Sequence, residues 1–163
     1  MGKRRSSIYT ISQDTKAIMT KETGYYRTLI IEGNKKKPSN YKIEQILNYN
    51  CLLYGSDLAG RKKGVKRILK SASKLPIPVD PANKGIYMMP TASIKNKDCV
   101  WLAYHHIKFY EQRDHKAYIG FHDDTGIYIN ASVKTIDLQY KRTSEVIVDY
   151  NRDKIFKGFS LTN

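Results

Sequence analysis

The chain has 163 residues, with 29 lysines and arginines against 15 aspartates and glutamates, a net charge of +14 and an isoelectric point near 9.7. That length suits one domain able to bury a core without disulfides, and that charge favours a polyanionic partner. No run of 18 or more apolar residues exists to span a membrane, no apolar stretch follows Lys3-Arg4-Arg5 to make an export signal, and Cys51 and Cys99 lack the CxxC spacing of a zinc site. The expectation is a cytoplasmic protein with reduced, buried thiols and no cofactor.

In chain order, residues 1–7 read as a flexible basic lead to a single domain that spans 1–163, with 157–163 as its frayed end. Residues 8–11 and 16–20 are short extended stretches. Lys21-Glu22-Thr23-Gly24 forms a turn into a strand over 25–32, giving an N-terminal hairpin. Residues 33–40, which contain Asn34-Lys35-Lys36-Lys37-Pro38, have the composition of a solvated loop. Over 39–49, Ile43, Ile46 and Leu47 recur at helical spacing and make a short helix or turn that leads to Cys51-Leu52-Leu53.

A basic amphipathic helix follows, with Ser56 as N-cap and Asp57 complementing the positive end of the helix dipole. Leu58, Val65, Ile68, Leu69 and Ala72 share one arc at about 100° per residue. Lys62, Lys63, Lys66, Arg67, Lys70 and Lys74 occupy the opposite arc. Gly60 and Gly64 each cost about 1 kcal/mol relative to alanine inside a helix. Close approach of a second helix or of a phosphate backbone is what would compensate them. Arg61 projects on the apolar arc, either as a stem lying over the core or as a direct ligand contact.

Pro76 and Pro78 forbid continued helix and confine the next segment to an edge or a loop. Residues 80–85 make a turn, 86–89 a strand closed by Pro90, and Asn96-Lys97-Asp98 another turn. A long strand is predicted over 100–110, with Trp101, Ala103, His105, Ile107 and Phe109 on its core face. Its alternation separates His105 from His106, so the two cannot chelate one metal within that strand. Residues 118–121 and 127–129 form a further hairpin around His122-Asp123-Asp124-Thr125-Gly126. Ile136, Tyr140, Thr143, Ile147 and Tyr150 then line one side of a helix over 133–150, capped by Ser132.

The stretch from Cys51 to Thr91 carries a resemblance. Cys51, Tyr54-Gly55-Ser56, Ala59-Gly60-Arg61-Lys62, Pro76-Ile77, Asp80-Pro81 and Pro90-Thr91 occur in an order similar to that of the bacterial competence transcription factors of the ComK family. The resemblance continues more weakly through Trp101 and covers most of the chain from about Lys42 to Phe156. It implies a transcription activator of competence genes that binds double-stranded DNA at A-rich and T-rich boxes. It further implies minor-groove reading by self-associating subunits that bend the DNA, with RNA polymerase, the MecA adaptor and the ClpC protease as partners. The sequence ends at Asn163, without the longer C-terminal tail of fuller members, so the resemblance bears on DNA binding more than on activation or adaptor capture.

The combined expectation is an α+β fold of mostly antiparallel strands and hairpins, with a central basic helix and a C-terminal helix. The DNA-binding residues expected are Arg61 in the minor groove, Lys62, Lys63, Lys66, Arg67 and Lys70 on phosphates, and Gly60 and Gly64 for close approach. No nucleophile elbow, Walker loop or HExxH motif argues for an enzyme. Two alternatives remain at this stage. One is a single-strand or RNA-binding module that stacks bases on the tyrosines around Tyr25-Tyr26-Arg27 and Tyr104 to Tyr110. The other is a metal-dependent nuclease centred on His122, Asp123 and Asp124.

Overall fold

The computed structural model of the protein describes residues 7–157. The N-terminal lead and the C-terminal end expected to be flexible lie, for residues 1–6 and 158–163, outside the described residues. The fold is α+β, built on an antiparallel six-stranded sheet of order β3-β2-β1-β6-β5-β4 and a separate three-stranded sheet β7-β8-β9. The strands are β1 (Thr15–Thr23), β2 (Tyr26–Glu32), β3 (Lys35–Ser39), β4 (Ile77–Asp80), β5 (Ile86–Pro90), β6 (Val100–Ala103), β7 (Ile107–Arg113), β8 (Lys116–Phe121) and β9 (Gly126–Ile129). Helices α1 (Ile43–Leu53) and α2 (Leu58–Leu69) separate β3 from β4, and α3 (Val133–Tyr150) with the short α4 (Arg152–Ile155) follows β9.

The large sheet is covered on both faces, which its alternating side chains require. Ile18, Ile77, Met88 and Trp101 point to one side and pack with Ile46, Leu47 and Cys51 of α1. Ala17, Met89 and Leu102 point to the other and meet Ile119 and Phe121 of the small sheet and Ile136 of α3. Val65 of α2, Tyr87 of β5 and Val146 of α3 form a third cluster that fastens α2 to α3. Pro76 precedes β4 and Pro78 lies within it on the edge of the sheet, as does Pro38 in β3, where a missing N–H breaks no ladder.

Several local expectations change. Residues 33–40 are not a loop. Gly33, at a φ of 58°, starts a two-residue turn, and β3 pairs with β2 from Glu32↔Lys35 to Thr28↔Ser39. The three lysines that suggest solvation decorate an exposed edge, a usual device against unwanted strand pairing. Residues 8–11 are not a strand. They are pinned by Asn50, whose carbonyl accepts from the Ile11 N–H at 2.8 Å and whose amide donates to the Tyr9 carbonyl at 2.9 Å. β1 runs on to Thr23, so the turn expected over 21–24 shrinks to Gly24-Tyr25.

The long strand over 100–110 is broken by a 3₁₀ turn at Tyr104–His106, where the chain leaves the large sheet for the small one. The broken alternation undoes the expected faces. His105 is exposed rather than core, and Phe109 is 42 % exposed over the flat face of Gly120. His105 and His106 also converge, their Nε2 atoms lying 2.9 and 2.5 Å from the Gln13 carbonyl oxygen, which assigns the Nε2–H form to both. The helix expected over 133–150 forms as the pattern predicts, and the Ser132 hydroxyl accepts from the Thr135 N–H at 3.2 Å.

Candidate nucleic-acid interface

Helix α2 starts one residue later than expected, because Asp57 is its cap. The Asp57 carboxylate accepts from the Gly60 N–H at 2.7 Å and satisfies one of the free donors of the first turn. The helix stops at Leu69, with Lys70 in the left-handed region at a φ of 52°, so Ala72 and Lys74 lie beyond it. Lys74 nevertheless returns to the helix. It lines, with Lys62, Lys66, Ser73 and Ser93, a cleft of about 260 Å3 floored by Trp101, and no carboxylate lines that cleft. Trp101 is 3 % exposed, and its indole N–H has no hydrogen-bond partner among the described residues.

The six basic side chains expected to bind DNA do not all face one way. Lys62 and Lys66 flank the cleft just described, and Lys63 and Lys70 point outward. Arg67 lies on the other flank, where it shares a cleft with Glu145 and Asp149 of α3. Arg61 is half-buried. Its guanidinium donates to the Tyr54 carbonyl at 2.9 Å, and its buried Nε has no partner among the described residues. Burial pushes the neighbouring Cys51 thiol up to about 11 despite the opposing pull of that guanidinium.

The two glycines serve different ends. A Cβ on Gly64 would stand 3.3 Å from the Tyr150 hydroxyl, so this residue admits α3. A Cβ on Gly60 would stand 2.6 Å from Ser56 Oγ and 3.0 Å from Asp57 Oδ1, so Gly60 makes room for the cap.

A second cleft, of about 290 Å3, adjoins the first, since Ile94 and Trp101 line both. It adds Arg27, Lys42, Lys95 and Lys97 to the basic surface, along with Glu22 and Glu44. These cations come from three separate segments, with only Lys95 and Lys97 close in sequence, so no local pattern in the chain groups them all.

The other chemical candidates are occupied. Asp123 pairs with the buried Lys16 and accepts from the Thr125 hydroxyl at 2.6 Å and its N–H at 3.0 Å, and the ammonium holds its carboxyl well below the usual carboxylate range. Asp124 faces Lys108 at 3.5 Å. Among the described residues no three His, Cys, Asp or Glu side chains group as a metal site. The Tyr104 to Tyr110 face is partly covered. Tyr104 stacks on Tyr140 of α3 at 4.6 Å and Tyr110 donates to Asp137 at 2.7 Å, so these two rings are engaged by α3, whereas Phe109 stays exposed. No helix among the described residues is long and apolar enough to cross a membrane.

The family model described as ComK protein matches residues 6–154. The competence transcription factor of Bacillus subtilis (strain 168) is 30 % identical over 133 residues, which cover 81 % of this chain and 66 % of that relative. The chain thus spans just under two thirds of the relative's length. No solved structure matches. With the ordered elements from Cys51 to Thr91 lying within the matched region, the chain belongs to the ComK family.

Proposed function

We propose that this protein is a DNA-binding regulator of transcription that activates competence genes from A-rich and T-rich boxes, acting in the cytoplasm at the nucleoid as a self-associated assembly. The observation that carries the reading is the acid-free cleft on α2, where Lys62, Lys66 and Lys74 converge without an ion-pair partner among the described residues. Clustered ammonium groups of this kind repel one another and favour a polyanion, whose phosphates they neutralise with release of counterions. Lys62, Lys63, Lys66 and Lys70 are the proposed phosphate contacts, and Arg67 contributes less because Glu145 and Asp149 share its flank. Arg61, fixed on Tyr54, holds the helix in position. RNA polymerase, the MecA adaptor and the ClpC protease are the proposed protein partners on family resemblance alone.

Binding to a duplex with paired A-tract and T-tract boxes tests the assignment. Lys66→Ala weakens binding to all duplexes alike and lowers the salt slope by about one, whereas Arg67→Ala has the smaller effect. A larger loss from Arg67→Ala than from Lys66→Ala, or an unchanged salt slope for Lys66→Ala, contradicts the assignment.

A further inference from the structure

The hairpin of β1 and β2 outruns the sheet it belongs to. β1 pairs with β6 only at Ala17, Ile18 and Met19, and β2 pairs with β3 only from Thr28 to Glu32, yet β1 and β2 remain paired out to Thr23↔Tyr26. Residues 21–27 are consequently a free two-stranded ribbon with every residue exposed. At about 3.3 Å per residue it projects roughly 13 Å beyond β6. Its tip carries Tyr25, which is 88 % exposed, next to Tyr26 at 43 %. Two large aromatic rings in water on a projecting tip do nothing for the core, and such exposed rings are a hallmark of contact surfaces.

The base of the ribbon is cationic. Arg27 lines the cleft that also holds Lys42, Lys95 and Lys97, whose four cations outnumber the carboxylates of Glu22 and Glu44 there, and Ile94 and Trp101 join that cleft to the one on α2. Ribbon and α2 therefore lie along one continuous basic surface. An α-helix with side chains is about 10–12 Å across, and the minor groove of B-DNA is about 6 Å wide. Helix α2 cannot enter that groove, and its one inward arginine, Arg61, is engaged with Tyr54. The ribbon's two strands, about 4.8 Å apart before their side chains are counted, also exceed the undistorted groove. A single aromatic side chain at the ribbon's tip can enter it, as the wedges of minor-groove proteins do on bent DNA.

We propose that the β1–β2 ribbon is the arm that reaches the minor groove of the DNA duplex, with Tyr25 set against the bases at its tip and Arg27 drawn to the groove's negative potential, while the lysines of α2 hold the adjoining backbone. The proposal rests on the DNA-binding reading and names the element that reads the groove. Because Tyr25 and Arg27 are exposed, their replacement leaves the fold intact.

The experiment measures fluorescence anisotropy of wild type, Tyr25→Ala and Arg27→Ala on the boxed duplex, a GC-rich duplex and the boxed single strand. Tyr25→Cys carrying an iron-chelate DNA-cleaving reagent maps the tip; the buried Cys51 and Cys99 leave the labelling confined to position 25. The arm predicts that Tyr25→Ala weakens the boxed duplex by about tenfold or more, with a smaller loss on the GC-rich duplex. It also predicts cleavage within the boxes, with the 3′ offset of minor-groove attack. Wild-type binding unchanged by both substitutions, cleavage with a major-groove offset, or a loss confined to the single strand overturns the arm alone. Wild type that binds neither duplex overturns the DNA-binding reading and the arm with it.

Discussion

The guanidinium of Arg61 donates to the carbonyl of Tyr54 at 2.9 Å and so ties the first turn of α2 to the end of α1. A cation at the C-terminal end of a helix meets carbonyls that lack intrahelical partners and complements the negative end of the dipole. Arg61→Ala removes that bond and should cost about 1–2 kcal/mol of stability, measured by urea unfolding. If the residue is a strut, its loss weakens A/T-box and GC-rich duplexes by the same factor. Selective loss of the A/T preference, with non-specific binding intact, would instead put Arg61 in the groove.

The close approach of Gly64 to Tyr150 makes a second, opposite expectation. The Tyr150 hydroxyl is the far end of a side chain that is 36 % exposed, and it needs to move only slightly to admit a methyl group at 3.3 Å. Gly64→Ala then gains helix propensity of up to about 1 kcal/mol, seen as a higher melting temperature. Gly60→Ala gains less or loses, since its methyl group crowds Ser56 and the Asp57 cap. A destabilised Gly64→Ala chain would show that the α2–α3 contact cannot relax.

Lys16 and Asp123 couple stability to acid. The folded pKa of Asp123 is depressed, because the Lys16 ammonium and the Thr125 hydroxyl and N–H favour its anion. Its contribution is therefore complete above the ordinary carboxylate value and is lost as pH falls below about 4. Asp123→Asn should flatten that acid limb in pH-dependent denaturation. It should also destabilise the protein at neutral pH by about 1–3 kcal/mol, because Lys16, at 2 % exposure, keeps a buried charge without its counter-ion. Adding Lys16→Met should recover part of the loss. An unchanged acid limb in Asp123→Asn would contradict the coupling.

The thiols give a third chemical readout. Burial raises both Cys51 and Cys99, the former to about 11, so both stay protonated at neutral pH and out of reach of reagents. A thiol titration with an aromatic disulfide should find no fast-reacting group in the native protein and two after denaturation. A fast native phase would contradict the packing of α1 on the large sheet.

Much of this architecture was legible in local patterns, because local chemistry decides it. The period of Ile136, Tyr140, Thr143 and Ile147 with Ser132 in front specifies α3, and Pro78 specifies an edge strand for β4. The misread elements depend on partners distant in sequence. Three lysines and a proline read as a loop until β2 supplies a ladder, and the break at Tyr104–His106 comes from a change of sheet that no alternation records. The basic helix was visible from its wheel, but the wheel extended it past Leu69. It also grouped Arg67 with lysines from which Glu145 and Asp149 of α3 divide it. Lys95, Lys97, Arg27 and Lys42 carry no shared pattern and meet only in the folded chain.

The central claim is that this basic surface binds duplex DNA and prefers A/T boxes. The most direct measurement is a titration of the purified protein against the boxed duplex and a GC-rich duplex of equal length, across a salt series. For a contact with about six phosphates, both affinities should fall by about 10³ between 50 and 200 mM salt, so the ratio carries the specificity. The account predicts a ratio well above one that persists at the higher salt. A ratio near one at every salt concentration would contradict it, leaving a protein that binds polyanions without reading them.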